Sequence, residues 1–257
     1  MDRRLFILYE CFFKSMRKHP IDTILGLGNI LLNQAVSMIF LYVIFANVPA
    51  LDNWRQYELL LIYGLFVLHK GIANFFTTSL YSIEQHIADG SFDGMLIRPV
   101  PPIYQILGES LEIGELVNIV IGGTVITISL VNIDEIDILW TLIILILFAI
   151  LSVILFFSIR LICMSIAFWT LTSFPVAIAV DNISEFAKYP SSIYSKGISI
   201  ILDFVIPFSI IAYFPTLIII EKNIILLFVS IFITIIMLCI SIFVWKCGIK
   251  SYKSSGH

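Results

Sequence analysis

The chain alternates between long apolar runs and short polar stretches, and this pattern predicts an all-α polytopic membrane protein. An apolar run of about 18 residues or more is long enough to cross a bilayer as a helix. Runs of this kind predict membrane spans at residues 24–48, 57–81, 106–131, 139–170 and 224–245. The composition agrees, because 60% of the 257 residues are hydrophobic and only 13% are charged, whereas about 25% of a soluble domain is charged.

Two of the remaining segments are less regular. Residues 175–190 are half polar but predict a further span, and residues 191–220 are apolar but interrupted by Asp203, Pro207 and Pro215. The run at 139–170 is also long for one crossing, since as a single helix it would measure about 48 Å against a hydrocarbon core of about 30 Å. We therefore expect this run to extend beyond the membrane or to break near Arg160.

The distribution of charge sets the expected topology. Lys and Arg are concentrated at both ends of the chain and near residue 98, whereas the loops at 49–56 and 132–138 hold one Arg and four acidic residues. Cytoplasmic loops carry the excess of basic residues, so both termini and the 82–105 loop are predicted to be cytoplasmic. This requires an even number of crossings, and six fit best. The 191–220 segment then becomes a re-entrant hairpin on the outer side, because irregular backbone at membrane depth has to be covered by protein or water.

Two further segments are predicted to stay out of the hydrocarbon core. Residues 3–19 combine basic and apolar side chains at helical spacing, which predicts a helix lying in the membrane interface. In the loop after the second span, residues 82–88 predict a short helix that Gly90 would end, because glycine readily adopts left-handed backbone angles. We expect Phe92 and Leu96 to be exposed on this loop.

That loop has the features of a docking element. The exposed apolar pair would be accompanied by four charged residues, Glu84, Asp89, Asp93 and Arg98, and three prolines at 99, 101 and 102 would stiffen the exit. Such a rigid, mixed surface favours binding of another protein. The alternative is an interfacial loop whose Phe and Leu side chains dip into lipid.

Ionisable residues at membrane depth are rare and indicate candidate functional sites. His69 and Lys70 fall near the middle of the second span, where Lys70 either faces a translocation path or pairs with a carboxylate of a neighbouring helix. Glu109, Glu112 and Glu115 follow at helical spacing at the start of the third span. Their position suits the positive end of a helix dipole, but Glu115 is expected nearly two turns inside the helix. The candidate translocation path therefore comprises His69, Lys70, Glu112 and Glu115.

The chain lacks the motifs of an enzyme. It has no phosphate-binding loop, no zinc-binding HExxH motif and no nucleophile elbow. Its four cysteines, Cys11, Cys163, Cys239 and Cys247, have no ligand spacing and are expected to be packing residues. We expect no catalytic activity, no cofactor and no nucleic-acid partner for this chain, and an N-terminal segment that is retained.

Four stretches resemble the bacterial and archaeal branch of the ABC-2 type exporter permeases. The pattern G-x-F-D-x-x-L-x-R-P occurs at residues 90–99, directly after the second span. It is followed by FWT at 168–170, YPSSIY at 189–194 and IPFSIIAYFP at 206–215. The resemblance extends over nearly the whole chain.

This resemblance implies a type-2 ABC exporter permease fold in a prokaryotic cell membrane. Residues 3–19 would form a connecting helix, 82–98 a coupling helix for ATP-binding subunits, and 191–220 the re-entrant region. Two such subunits would hold ATP and magnesium and drive a pair of permeases, identical or homologous, that export an amphipathic or lipid-like substrate. The outer gate would contain Asp203, Pro207, Tyr213 and Phe214, with both aromatic rings at the membrane interface. Two other functions remain open, namely an ATP-independent secondary transporter or channel and a membrane-anchored immunity or assembly protein.

Overall fold

A computed structural model describes residues 20–47, 54–134 and 136–253 of the chain. The predicted connecting helix at 3–19 lies outside these residues. The described part is built from helices joined by short turns, and its α-helices are α1 Pro20–Asn47, α2 Gln56–Thr77, α3 Ile83–Ala88, α4 Ser91–Leu96, α5 Pro102–Leu107, α6 Glu115–Val131, α7 Ile138–Ser165, α8 Ala167–Thr170, α9 Phe174–Ile183, α10 Lys196–Ile200, α11 Tyr213–Glu221 and α12 Ile224–Ser251.

The chain divides into two compact units, residues 1–49 and residues 50–257. In the first unit, the described part of α1 is Pro20–Asn47. It includes residues 24–47 of the predicted first span. All other elements belong to the second unit.

The apolar helices have the length that a membrane requires. Among the described residues, three helical segments are long and apolar enough to cross a bilayer, at 56–88, 138–170 and 224–251, and shorter apolar helices occupy 28–43 and 115–131. The described part of the chain is therefore helical, and several of its helices have the length and apolar composition that a bilayer requires. A count of six crossings remains a prediction.

Glycines allow α2 and α6 to pack closely. A Cβ added at Gly122 of α6 would lie 2.5 Å from the backbone nitrogen of Leu68 in α2, and one added at Gly64 of α2 would lie 2.9 Å from the side chain of Ile126. Small residues at such contacts let membrane helices approach backbone to backbone, where dispersion contacts hold them together. Helix α7 packs against both α2 and α12, which completes the helical core of this unit.

The third and fourth predicted helices differ from the expectation. The helix expected from residue 106 is interrupted: α5 ends at Leu107, and α6 begins only at Glu115. The long run from 138 continues as a regular helix through Arg160, and its interruption comes instead at Ile166, between α7 and α8. The helix tolerates Arg160 because both terminal nitrogens of its guanidinium donate to side chains of neighbouring elements.

The last irregular part of the chain consists of short helical pieces. Helix α9 continues into a 3₁₀ turn at Ser184–Lys188, and together they are about 25 Å long. After a 3₁₀ turn at Ser191–Ile193, α10 passes into a π turn at Ile201–Val205, and the helix stops at Ile206. Pro207 follows this break, and α11 begins six residues later. The predicted interruption at Pro207 is therefore present.

Candidate functional sites

The loop between α2 and α6 forms a compact pair of short helices. A 3₁₀ turn at Thr78–Ser82 leads from α2 into α3, and Gly90 joins α3 to α4 with a φ of 76°. Only glycine adopts this left-handed angle without strain from a Cβ. The predicted helix at 82–88 and the predicted role of Gly90 are both present.

Phe92 is not exposed, and this part of the prediction is wrong. Its side chain is fully buried within an aromatic cluster. Its ring centroid lies 5.3 Å from that of Phe168, 6.1 Å from that of Trp245 and 5.1 Å from that of Tyr252. All three contacts are edge-to-face, the arrangement that the charge distribution of aromatic rings favours. Phe92 therefore anchors α4 to the ends of α7–α8 and α12, because burial against these rings is more favourable than exposure to water.

The exposed apolar surface of the loop lies a few residues further along. Leu96 is 40% exposed, Ile97 87% and Val100 46%, and we call these three residues the apolar tip. Gln105 of α5 holds the chain behind the tip, because its Nε2 donates to the carbonyl oxygens of Met95 and Val100 at 2.9 and 2.6 Å. Exposure was predicted for Leu96 but not for Ile97 and Val100, because the local sequence pattern does not distinguish these two from their neighbours.

The charged residues of the loop have mainly internal roles. The Glu84 carboxylate accepts hydrogen bonds from the backbone N–H groups of Ser173 and Phe174, both at 2.5 Å, and so caps α9. The Asp89 carboxylate accepts the backbone N–H of Ser91 at 2.9 Å. Its pKa lies below the usual value because the Ser91 hydroxyl and backbone N–H stabilise the ionised form.

The other two charged residues lie closer to the loop surface. Asp93 is half-buried in the first turn of α4, and the exposed Arg98 donates to the side-chain oxygen of Gln105 at 3.1 Å. Of the charged residues proposed for docking, Arg98 is therefore next to the apolar tip.

Lys70 lies in an ion-pair network inside the helical core. Its Nζ is 2.6 Å from Oε1 of Glu185 and 2.8 Å from the hydroxyl of Ser184, and Asp181 Oδ2 lies 3.9 Å away. Lys188 forms an ion pair with the other oxygen of Glu185. Of the two alternatives for Lys70, the structure places it in a pair with a carboxylate of a neighbouring element.

Arg160 is the centre of the same network, and the sequence analysis had considered it only as a break point. Its side chain is 3% exposed. The guanidinium donates to Thr77 and Asn74 of α2, both at 2.6 Å, and to Asp181 of α9 at 3.0 Å. An arginine in the most apolar run of the chain was itself a signal, because a membrane-embedded cation needs partners. We call Lys70, Arg160, Asp181, Glu185 and Lys188 the charge network.

The remaining path candidates are placed around this network. His69 is fully buried, and its Nδ1 lies 2.6 Å from the carbonyl oxygen of Ile211. Glu115 is the first residue of α6 and not two turns inside it, so its carboxylate is next to the positive helix end. It accepts hydrogen bonds from Asn74 at 2.9 Å and Asn118 at 2.7 Å. Glu112 precedes the helix and, like Glu109, lies in the turn after α5.

The residues proposed for the outer gate surround the break at Pro207. The Asp203 carboxylate accepts hydrogen bonds from the hydroxyls of Ser199 at 3.0 Å and Ser209 at 2.5 Å and so bridges the break. The ring of Tyr213 is 5.9 Å from that of Trp54. Phe214 is only 4% exposed, and its location at the membrane interface stays a prediction. It faces the protein because α11 packs against α7 and α12.

Comparison with known proteins agrees with this architecture. The family model described as "ABC-2 family transporter protein" matches residues 31–256, which is most of the chain. Comparisons with curated proteins and with solved structures found no match. The long apolar helices, the loop after α2 and the family match lead to one conclusion: the chain belongs to the ABC-2 family of transporter proteins, the membrane permease components of ABC transporters.

Proposed function

We propose that this chain is the permease of an ATP-driven exporter that moves an amphipathic or lipid-like substrate outward. In this proposal two separate ATP-binding subunits dock on the 82–98 element, and two permeases, identical or homologous, enclose the path. Both termini lie in the cytoplasm. The observation that carries the proposal is the loop after α2, which combines an exposed apolar tip with a fully buried anchoring residue, Phe92.

The anchor explains how force could pass from a partner to the membrane helices. The apolar tip begins four residues after Phe92, and the Phe92 ring touches Phe168 and Trp245. A displacement of α4 would therefore act directly on the ends of α7–α8 and α12, since packed aromatic rings do not compress. The tip would bind the ATP-binding subunit, and Phe92 would transmit the movement.

The broken segment after α10 supports an outer gate. The ring of Trp54, just before α2, lies 5.9 Å from that of Tyr213, and its Nε1 donates to the Ser192 hydroxyl at 3.3 Å. The carbonyl oxygen of Ile211 lies 2.6 Å from Nδ1 of His69, which is 13 residues, or about 20 Å, from the first residue of α2. A segment with contacts both at the start of α2 and well inside it enters the helical core, as a re-entrant hairpin would.

A co-purification experiment tests the docking surface. Ile97→Asp places a charge in the centre of the apolar tip, and we expect a P-loop-containing ATP-binding subunit to be lost from the complex while the permease still inserts. Val131→Asp is the matched control, because Val131 is also exposed, at 80%, but lies at the far end of α6. Retention of that subunit by Ile97→Asp, or equal loss from both variants, would refute the proposal.

A further inference from the structure

We infer that Lys70 and Lys188 form a binding site for the anionic headgroup of an amphiphile, and that Glu185 occupies this site in its empty state. This inference rests on the proposed function and specifies the substrate class. Its basis is the convergence of two ammonium groups on the carboxylate of Glu185 in the helical core, with Asp181 as a more distant second anion, 3.9 Å from Lys70.

The two lysines lie close together over one aromatic ring. Their Nζ atoms lie 5.4 and 5.5 Å from the centroid of the same ring, that of Phe66. Their side chains are only 14% and 20% exposed. An aromatic ring stabilises a cation but does not neutralise it, so cations withdrawn from water in this way require an anion. Here Glu185 contacts both of them, at 2.6 Å from Lys70.

Glu185 is the member of this group that can be displaced. Its side chain is 42% exposed, compared with 20% for Lys188 and 14% for Lys70. It also belongs to the 3₁₀ turn Ser184–Lys188, and 3₁₀ turns have poorer hydrogen-bond geometry than α-helices. An ionised carboxylate this exposed faces water or a ligand rather than lipid. A phosphate, sulfate or carboxylate headgroup would offer the lysines the same charge and similar acceptor oxygens.

The surroundings favour an amphiphile over a small free anion. Thr77, which accepts a hydrogen bond from Arg160 of the charge network, also lines a cavity of about 320 Å³. The other residues around this cavity, including Leu111 and Phe157, are all apolar. Thr77 is seven residues, or about 10 Å, along α2 from Lys70. A molecule whose charged head reaches the lysines could therefore place a hydrocarbon tail in this cavity, at the Arg160 end of the charge network.

Binding of charged amphiphiles to the purified permease tests the inference without requiring ATP hydrolysis. The permease is placed in phosphatidylcholine nanodiscs, and binding of radiolabelled dodecyl phosphate is measured after subtraction of empty nanodiscs. Dodecyltrimethylammonium serves as the cationic probe of equal chain length, and inorganic phosphate as the headgroup without a tail. We expect dodecyl phosphate to bind more tightly than either.

Two substitutions should act in opposite directions. Lys70→Gln should weaken dodecyl phosphate binding by about tenfold, the effect of losing one charged hydrogen bond, and Lys70→Arg should largely retain it. Glu185→Gln should strengthen binding, because it removes the competing carboxylate. The exposed residues Lys196 and Glu221 supply matched controls, since Lys196→Gln and Glu221→Gln remove the same charges outside the network.

Several results would overturn the inference. If Glu185→Gln weakened binding as Lys70→Gln does, the network would be purely structural. If the cationic probe bound as tightly as dodecyl phosphate, the site would not select an anionic headgroup. If inorganic phosphate bound as tightly, the site would not require the hydrocarbon tail. Binding of dodecyl phosphate as expected, without a co-purifying ATP-binding subunit, would instead refute the proposed function and leave this site intact.

Discussion

The close contact between α2 and α6 leads to a prediction about two adjacent glycines. A Cβ at Gly122 would lie 2.5 Å from the backbone nitrogen and 2.8 Å from the Cα of Leu68. Ordinary contacts require about 3.5–4.0 Å, so Gly122→Ala would force the two helices apart by about 1 Å. Overpacking of this kind typically costs about 1–3 kcal/mol. Gly123 has no atom within 4 Å of an added Cβ, so Gly123→Ala should instead stabilise its helix by up to about 1 kcal/mol.

The two variants are a matched pair, since they add the same methyl group at neighbouring positions of one helix. Unfolding in mixed detergent–SDS micelles, followed by circular dichroism, would measure the free energy of unfolding of each. We expect Gly122→Ala to be less stable than Gly123→Ala by about 1–3 kcal/mol, the cost of overpacking, because the gain in helix propensity is common to both variants. Equal stability of the two variants would refute the backbone-to-backbone packing of α2 on α6.

Four further outcomes are expected. Arg160→Gln should lower the free energy of unfolding by about 3–5 kcal/mol because Asp181 loses its buried guanidinium partner, whereas Arg98→Gln on the exposed loop should change it by less than about 0.5 kcal/mol; equal effects in a detergent unfolding assay would contradict the network. Glu84→Gln should cost about 1–2 kcal/mol by weakening the cap of α9, seen as faster proteolysis after α8; unchanged cleavage would argue against the cap. Pro207→Ala should reduce export while ATP hydrolysis persists, because the helix could then continue through the break; normal export would remove Pro207 from the gate. A cysteine at position 134 should react with an impermeant thiol reagent from outside intact cells, and protection there would reverse the topology.

Much of the fold could be predicted from the sequence, because the bilayer imposes local requirements. A helix that crosses it needs a continuous apolar run, so the lengths of the runs were sufficient to locate α2, α7 and α12. The break at Pro207 was also predictable, since proline lacks the backbone N–H that a helix requires. Gly90 was recognisable for a similar reason, as a residue that can adopt a left-handed angle.

The sequence was less informative about the sites, which depend on contacts between distant segments. Phe92 was expected at the surface, because hydrophobicity alone does not distinguish a ring that binds a partner from one that binds its own chain. It is buried because Phe168 and Trp245, 76 and 153 residues away, converge on it. The exposed apolar surface of the loop therefore lies around Ile97 and not, as predicted, at Phe92.

The segments that can enter the membrane, and the ionisable residues that need partners there, can be identified from the amino-acid sequence. The partners themselves depend on how the helices pack. Lys70 and Arg160 could have faced water, lipid headgroups or a second permease, and nothing local distinguishes these environments. Their contacts with Glu185 and Asp181 arise because α9 and its 3₁₀ turn pack against α2 and α7. Local backbone propensity and hydrophobicity act over a few residues, whereas the energy of a buried charge depends on every group that folding brings within a few ångströms.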